Sequence, residues 1–65
     1  MNWQRMEGKY KDYKDEFRRK WSKLTDNELE LARGKREVLV GKLQQRYGIA
    51  RRTAERQLDD WVQSL

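Results

Sequence analysis

The 65-residue chain contains no cysteine, no histidine and no proline. Without cysteine there is no disulfide to staple a small fold and no thiol nucleophile. Without histidine the usual zinc ligand sets are missing, as is the one side chain that titrates near neutrality unaided. The lack of proline and of any glycine-rich or serine-rich stretch leaves nothing to mark a linker, so residues 1–65 read as a single domain. No apolar run approaches the ~18 residues of a membrane span, and the opening "MNWQRMEGKYK" lacks the apolar segment of a secretory signal. The expected location is therefore the cytoplasm, and neither an enzyme nor a cofactor is expected.

Aliphatic residues are scarce too. Leu, Ile, Val and Phe make up only twelve of 65 positions, below the roughly 20% at which a charged chain begins to resemble a disordered one. A chain of this length buries only about 60% of the surface its unfolded form exposes. Against this stand three Trp and three Tyr, each able to bury roughly 150 to 250 Å² and so to build a core from few residues.

Their spacing decides for a folded domain. Trp3, Met6, Tyr10, Tyr13, Phe17, Trp21 and Leu24 recur every three or four residues and share an arc of about 80° on a helix, with Asn2 ahead of them as the N-cap. At "KLTDNELELARG", Thr25 and Glu28 form a capping box and Asp26 adds negative charge at the helix start, so a second helix begins near Asp26. Leu29, Ala32, Leu39, Leu43 and Tyr47 share one face, but Arg36 interrupts it and Gly34 weakens it by about 1 kcal/mol, which predicts a break near Gly34. Gly48 is placed to end the third helix in the left-handed conformation, and Ile49 to pack across the turn. A last helix from about Ala50 to the C-terminus presents Ala50, Ala54, Leu58, Trp61, Val62 and Leu65. The reading is all-α, a compact bundle of about four short helices with no strand pattern.

"RGKREVLVGKL", residues 33–43, contains two of the three Gly-Lys pairs and so invites comparison with a phosphate-binding loop. That loop requires glycine, four residues, then Gly-Lys-Ser/Thr after a strand. Here Arg36 occupies the first glycine position, Leu43 the hydroxyl position, and no strand precedes them. Packing explains the glycines better: seven residues apart, Gly34 and Gly41 differ by only about 20° around a helix. The expectation is that Gly41 admits a close neighbour, with Leu31 and Val38 forming a second packing side or a self-association surface.

"KLQQRYGIARRTAERQL" resembles the helix-turn-helix of bacterial repressors. Gly48 would sit in the turn, Ile49 and Ala54 would pack inward, and Arg51, Arg52, Thr53 and Arg56 would project toward nucleic acid. Gln44 stands where a small residue is usual, and Asp59 and Asp60 put negative charge on the reading helix. Charge also lies elsewhere: the net charge is +5, but residues 1–24 hold eight basic and four acidic side chains, whereas residues 48–65 hold three of each. Nucleic-acid binding through Arg51, Arg52 and Arg56 is thus the alternative rather than the favoured reading.

Rings interleaved with lysines in "KYKDYKDEFRRKW" could stack bases, but they share one helical face and are assigned to the core. The same helix, apolar on one side, could lie on a membrane surface, an attraction weakened by its four acidic residues. The hydroxyls of Ser22, Thr25, Thr53 and Ser64 have no histidine to activate them, and no catalytic site is proposed.

Asn2-Trp3, Glu7-Gly8-Lys9, "KWSKLTD", "GKREVLVGKLQQRYG", Glu55 and Trp61 together resemble the CsbD-like family of small bacterial proteins over nearly the whole chain. The resemblance implies two packed helical hairpins in a SAM-domain-like arrangement, and expression under general, osmotic or stationary-phase stress. It implies no mechanism, since the family offers no catalytic or ligand residues to carry over. Ser22 stands where glycine is usual, and "ARRTAER" is richer in arginine than its counterparts. The reading is a non-enzymatic stress-associated protein with a binding or protective role.

Overall fold

The apolar stripe of the first 24 residues folds as two helical segments in the computed structural model, which describes residues 1–65. Helix α1 spans Trp3–Gly8 and α2 spans Tyr10–Lys20. They are followed by α3 (Asp26–Ala32), α4 (Arg36–Tyr47) and α5 (Arg51–Gln63). Five helices thus replace the expected four. The extra break falls at Lys9, whose φ of −119° leaves the helical range, beside Gly8, the residue that weakens a helix interior most after proline. Tight hydrogen bonds bracket the bend, from Lys9 N–H to the Met6 carbonyl and from Asp12 N–H to the Lys9 carbonyl. The stripe continues across it, with Met6, Tyr10, Phe17, Trp21 and Leu24 buried and Trp3 and Tyr13 packed against them.

The remaining boundaries follow local chemistry. Asn2 caps α1 by accepting the Arg5 N–H at 2.9 Å. Thr25 and Glu28 close the capping box of α3, each side chain accepting the other's backbone N–H at 3.2 Å. Arg33 and Gly34 both take positive φ, 53° and 75°, and separate α3 from α4 where the sequence placed a break. Gly48, with φ 63°, ends α4 and returns its N–H to the Gln44 carbonyl.

Helices α4 and α5 pack on each other as a hairpin, with Leu39, Val40, Leu43, Ala54, Leu58 and Val62 all buried. The α1–α2 arm lies against α5, and the contact is aromatic. Trp61 meets Phe17 edge-on at 5.2 Å between ring centroids, Trp21 at 5.7 Å and Trp3 at 6.4 Å, while Phe17 and Trp21 lie 4.4 Å apart. Each such pair contributes about 0.5–1.5 kcal/mol beyond its buried area, which is how a chain poor in aliphatics holds together.

The arm is latched at its other edge by the corner between α3 and α4. The Trp3 indole N–H donates to the Gly34 carbonyl at 2.9 Å, and the buried Tyr10 hydroxyl donates to the Leu29 carbonyl at 2.7 Å. Burial pushes the Tyr10 phenol up to about 12. Gly34 is itself buried, and a Cβ there would stand 3.1 Å from Tyr10 Cγ and 3.2 Å from Glu7 Cγ. Lys35 completes the corner by pairing with Glu7 at 2.8 Å.

Gly41 has a different role from the one its spacing suggested. It is exposed, and a Cβ there would meet nothing within 4 Å, so it admits no close neighbour. Leu31 and Val38 likewise remain 72% and 42% exposed rather than forming a second packed side. The seven-residue glycine spacing joins unlike positions.

The two glycines therefore respond oppositely to alanine. Gly41→Ala should raise stability by up to about 1 kcal/mol through helix propensity. Gly34→Ala should lower it by about 1–2 kcal/mol from left-handed backbone strain alone, with the displacement of Tyr10 in addition. Urea unfolding followed by tryptophan fluorescence separates the two; equal effects at both positions would contradict the assignment.

Candidate functional site

The α4–α5 hairpin carries the residues singled out for nucleic-acid contact. The turn has the expected form, with Gly48 left-handed, Ile49 half-buried and Ala54 buried. The three arginines, however, do not act as one set. Arg51 turns back across the hairpin, donating to both oxygens of Glu37 at 2.6 and 2.7 Å and approaching Glu55 at 3.6 Å. The hydrogen bond and charge of Glu37 push the Arg51 guanidinium further up, and the same bond from Arg51 holds the Glu37 carboxyl below its usual range. Arg52 and Arg56, one turn apart on the outer side of α5, are exposed and take part in no ion pair of the fold. Thr53 is exposed beside them. Asp59 is engaged by Arg36, which donates to both its oxygens at 3.1–3.2 Å and lies 3.6 Å from Glu55.

The Gly-Lys pairs are resolved by where their lysines go. Lys35 reaches Glu7 on α1, and Lys42 lies 3.6 Å from Glu28 on α3. Both join helices to one another. Only Lys9 of the three is outside the ion pairs.

Glu28 is the buried acidic residue of the fold, 8% exposed. Burial by itself would raise its carboxyl; the Thr25 N–H and the Arg46 guanidinium outweigh that and hold it below the ordinary range. Arg46 reaches it at 3.0 Å through Nη2 and 3.1 Å through Nε. One carboxylate thus caps α3 and binds α3 to α4. The capping-box spacing identified only the first role. Its second was not readable there, because Lys42 and Arg46, four residues apart on one face of α4, meet Glu28 only once the two helices pack. On the opposite edge of α3, the hydrogen bond and charge of Lys14, 2.6 Å away, hold Glu30 down as well.

Two open grooves flank this framework. One of about 790 Å³ runs between the α1–α2 bend and α3, lined by carboxylates (Glu7, Asp12, Glu30) and cations (Lys9, Lys11, Arg33) together. A smaller one of about 370 Å³ lies where the end of α2 meets the α4–α5 turn. No three or more His, Cys, Asp or Glu side chains gather to hold a metal ion, and no helix is long and apolar enough to cross a membrane.

Comparison with known proteins places these features in a family. A family described as CsbD-like matches residues 4–56. A UPF0337 protein of Rhodopseudomonas palustris is 45% identical over 65 residues, covering 100% of this chain and 98% of the relative. The UPF0337 protein YjbJ of Escherichia coli K12 is 41% identical over 61 residues, 94% of this chain and 88% of the relative. A UPF0337 protein of Nitrosomonas europaea is 46% identical over 59 residues, 91% of this chain and 63% of the relative. No solved structure matches.

The lowered carboxyls of Glu28, Glu30 and Glu37 fix the sign of the acid response. Each binds a proton less readily folded than unfolded, so its stabilising effect is complete above about pH 5 and is lost as pH falls through and below about 4. The melting temperature should fall over that interval. Glu28→Gln should melt lower than the parent at pH 7 and depend less on pH in acid. A parent melting temperature independent of pH below 5, measured by circular dichroism, would contradict this account.

Proposed function

The chain belongs to the CsbD-like family, and from that premise we propose that it is a small bacterial general-stress protein that acts in the cytoplasm by binding, without catalysis. The observation that carries the binding reading is how the chain uses its ionisable groups. Strongly perturbed groups in an enzyme gather around a reacting centre in a cleft. Here the perturbed groups are Tyr10, Glu28, Glu30, Glu37 and Arg51; burial between helices raises Tyr10, and the other four are shifted in pairs that fasten one helix to another. The surplus positive charge is left on the surface, where it attracts anionic partners.

The second reading, a nucleic-acid module working through the α4–α5 hairpin, draws on the exposure of Arg52 and Arg56. Its weakness is Arg51, which Glu37 holds against α4. A reading helix with two free arginines and a paired third has less to offer a duplex than one with three.

Deleting the gene from its bacterium and complementing it tests the favoured reading. The protein should rise several-fold in abundance after hyperosmotic shock or on entry into stationary phase, and the deletion strain should survive these conditions less well. Ser22→Ala and Thr53→Ala variants should restore survival fully. Unchanged abundance under both stresses would remove the stress role, and failure of either hydroxyl variant to complement would point to catalysis.

A further inference from the structure

Seven of the sixteen basic side chains and seven of the eleven acidic ones are joined in ion pairs. The pairing runs through the seams between helices and leaves the excess cations unmatched. Two of these, Lys20 and Lys23, flank the smaller groove. Neither approaches a carboxylate; instead each ammonium stands over a ring, Lys20 Nζ 5.6 Å from the Trp21 centroid and Lys23 Nζ 5.1 Å from that of Tyr47.

The groove beneath them is lined by Lys20, Trp21, Tyr47, Ile49 and Gln57, with no acidic residue among them. The larger groove balances its own charge; this one does not. Its rings are held in place. The Tyr47 hydroxyl accepts the Lys23 backbone N–H at 3.1 Å, and the Trp21 indole N–H donates to Gln57 Oε1 at 3.2 Å. That second bond engages the Gln57 carbonyl and leaves its NH₂ group without a hydrogen-bond partner in the fold. Tyr47 is half-buried, packed against the edge of the core, and Arg56, next to Gln57 on α5, is exposed and unpaired.

A partner for this surface needs negative charge to meet the lysines and a flat apolar body to meet Tyr47 and Ile49. We infer that the groove between the end of α2 and the α4–α5 turn binds single-stranded nucleic acid, one base taking the place of the Lys23 ammonium over Tyr47 with Gln57 at its edge, and neighbouring phosphates meeting Lys20, Lys23 and Arg56. A positive groove tracking the backbone beside a ring that accepts any base is the combination single strands require. In a duplex the bases are stacked on each other and do not reach a ring in a groove. A flat anionic membrane fits less well, because Asp12, Asp15 and Glu16 stand exposed and unpaired on the outer side of the same helix. This inference rests on the binding role proposed above and gives that role a partner. It concerns affinity of the purified protein, so its failure would leave stress induction, measured in cells, untouched.

The test is fluorescence anisotropy of the full-length protein with a labelled oligothymidine of about twelve nucleotides, at about 20 and 200 mM salt, with a duplex of the same length and polyphosphate as comparisons. Binding should favour the single strand over the duplex and weaken at least tenfold at the higher salt. Lys20→Ala/Lys23→Ala should lose about tenfold or more in affinity, whereas Lys9→Ala/Lys11→Ala, which removes the same charge at the other groove, should lose about threefold or less. Tyr47→Leu should lose about fivefold or more for oligothymidine but not for polyphosphate, and Tyr47→Phe should retain binding of both. Circular dichroism checks the fold of each variant; if Tyr47→Leu is unfolded, the two lysine pairs decide alone. No binding at low salt, equal losses from the two lysine pairs, or oligothymidine affinity unchanged by Tyr47→Leu in a folded variant would overturn the inference.

Discussion

Gly34 has no side chain, and the α1–α2 arm occupies the space. The ring of Tyr10 packs 3.1 Å from where a Cβ would stand, the Trp3 indole N–H reaches the Gly34 carbonyl, and the neighbouring Lys35 pairs with Glu7. A chain without disulfides, and with few aliphatic residues, builds its core by laying the aromatic stripe of this arm on Trp61 of α5. That arrangement holds only if the arm has somewhere to dock along its other edge. The corner between α3 and α4 supplies the place, and its geometry depends on a backbone turn that places both Arg33 and Gly34 at positive φ.

Charge completes what the aromatic core begins. Glu28 caps α3 and anchors Arg46 and Lys42 from α4; Arg36 clasps Asp59 and Arg51 clasps Glu37 across the α4–α5 hairpin. Apart from those of the buried Glu28, these pairs are exposed and individually worth little. Their consequence for function is larger: by consuming the carboxylates along the seams they leave the remaining cations without intramolecular partners. The positive surface is thus a product of how the small fold is held together, and Lys20 and Lys23, poised over aromatic rings, are where it meets a groove.

Much of the fold was legible in the sequence because it rests on local rules. The Thr25–Glu28 box, the break at Gly34, the end at Gly48 and the apolar stripe from Trp3 to Leu24 are all expressed within a turn or two of chain. The bend at Lys9 was missed because the stripe keeps its phase across it, and periodicity does not register a change of axis. Gly41 was misread for a related reason: spacing says that two glycines share a side of a helix, not that anything approaches that side. The partners of Arg51, Lys35 and Lys42 lay beyond reach, since Glu37, Glu7 and Glu28 become neighbours only through the tertiary arrangement. The same holds for the groove at the end of α2, whose Lys20, Tyr47 and Gln57 come from three separate helices.

Whether the arm and the corner act as one unit can be measured in a double-mutant cycle. Trp3→Phe removes the indole donor and Gly34→Ala distorts its acceptor, so urea unfolding of the parent, both single variants and the double variant isolates the energy they share. The double variant should lose less than the sum of the single losses, by about 1 kcal/mol, on the order of one hydrogen bond and the packing beside it. Losses that add would show that Trp3 and Gly34 contribute independently, and would contradict the claim that this contact organises the fold.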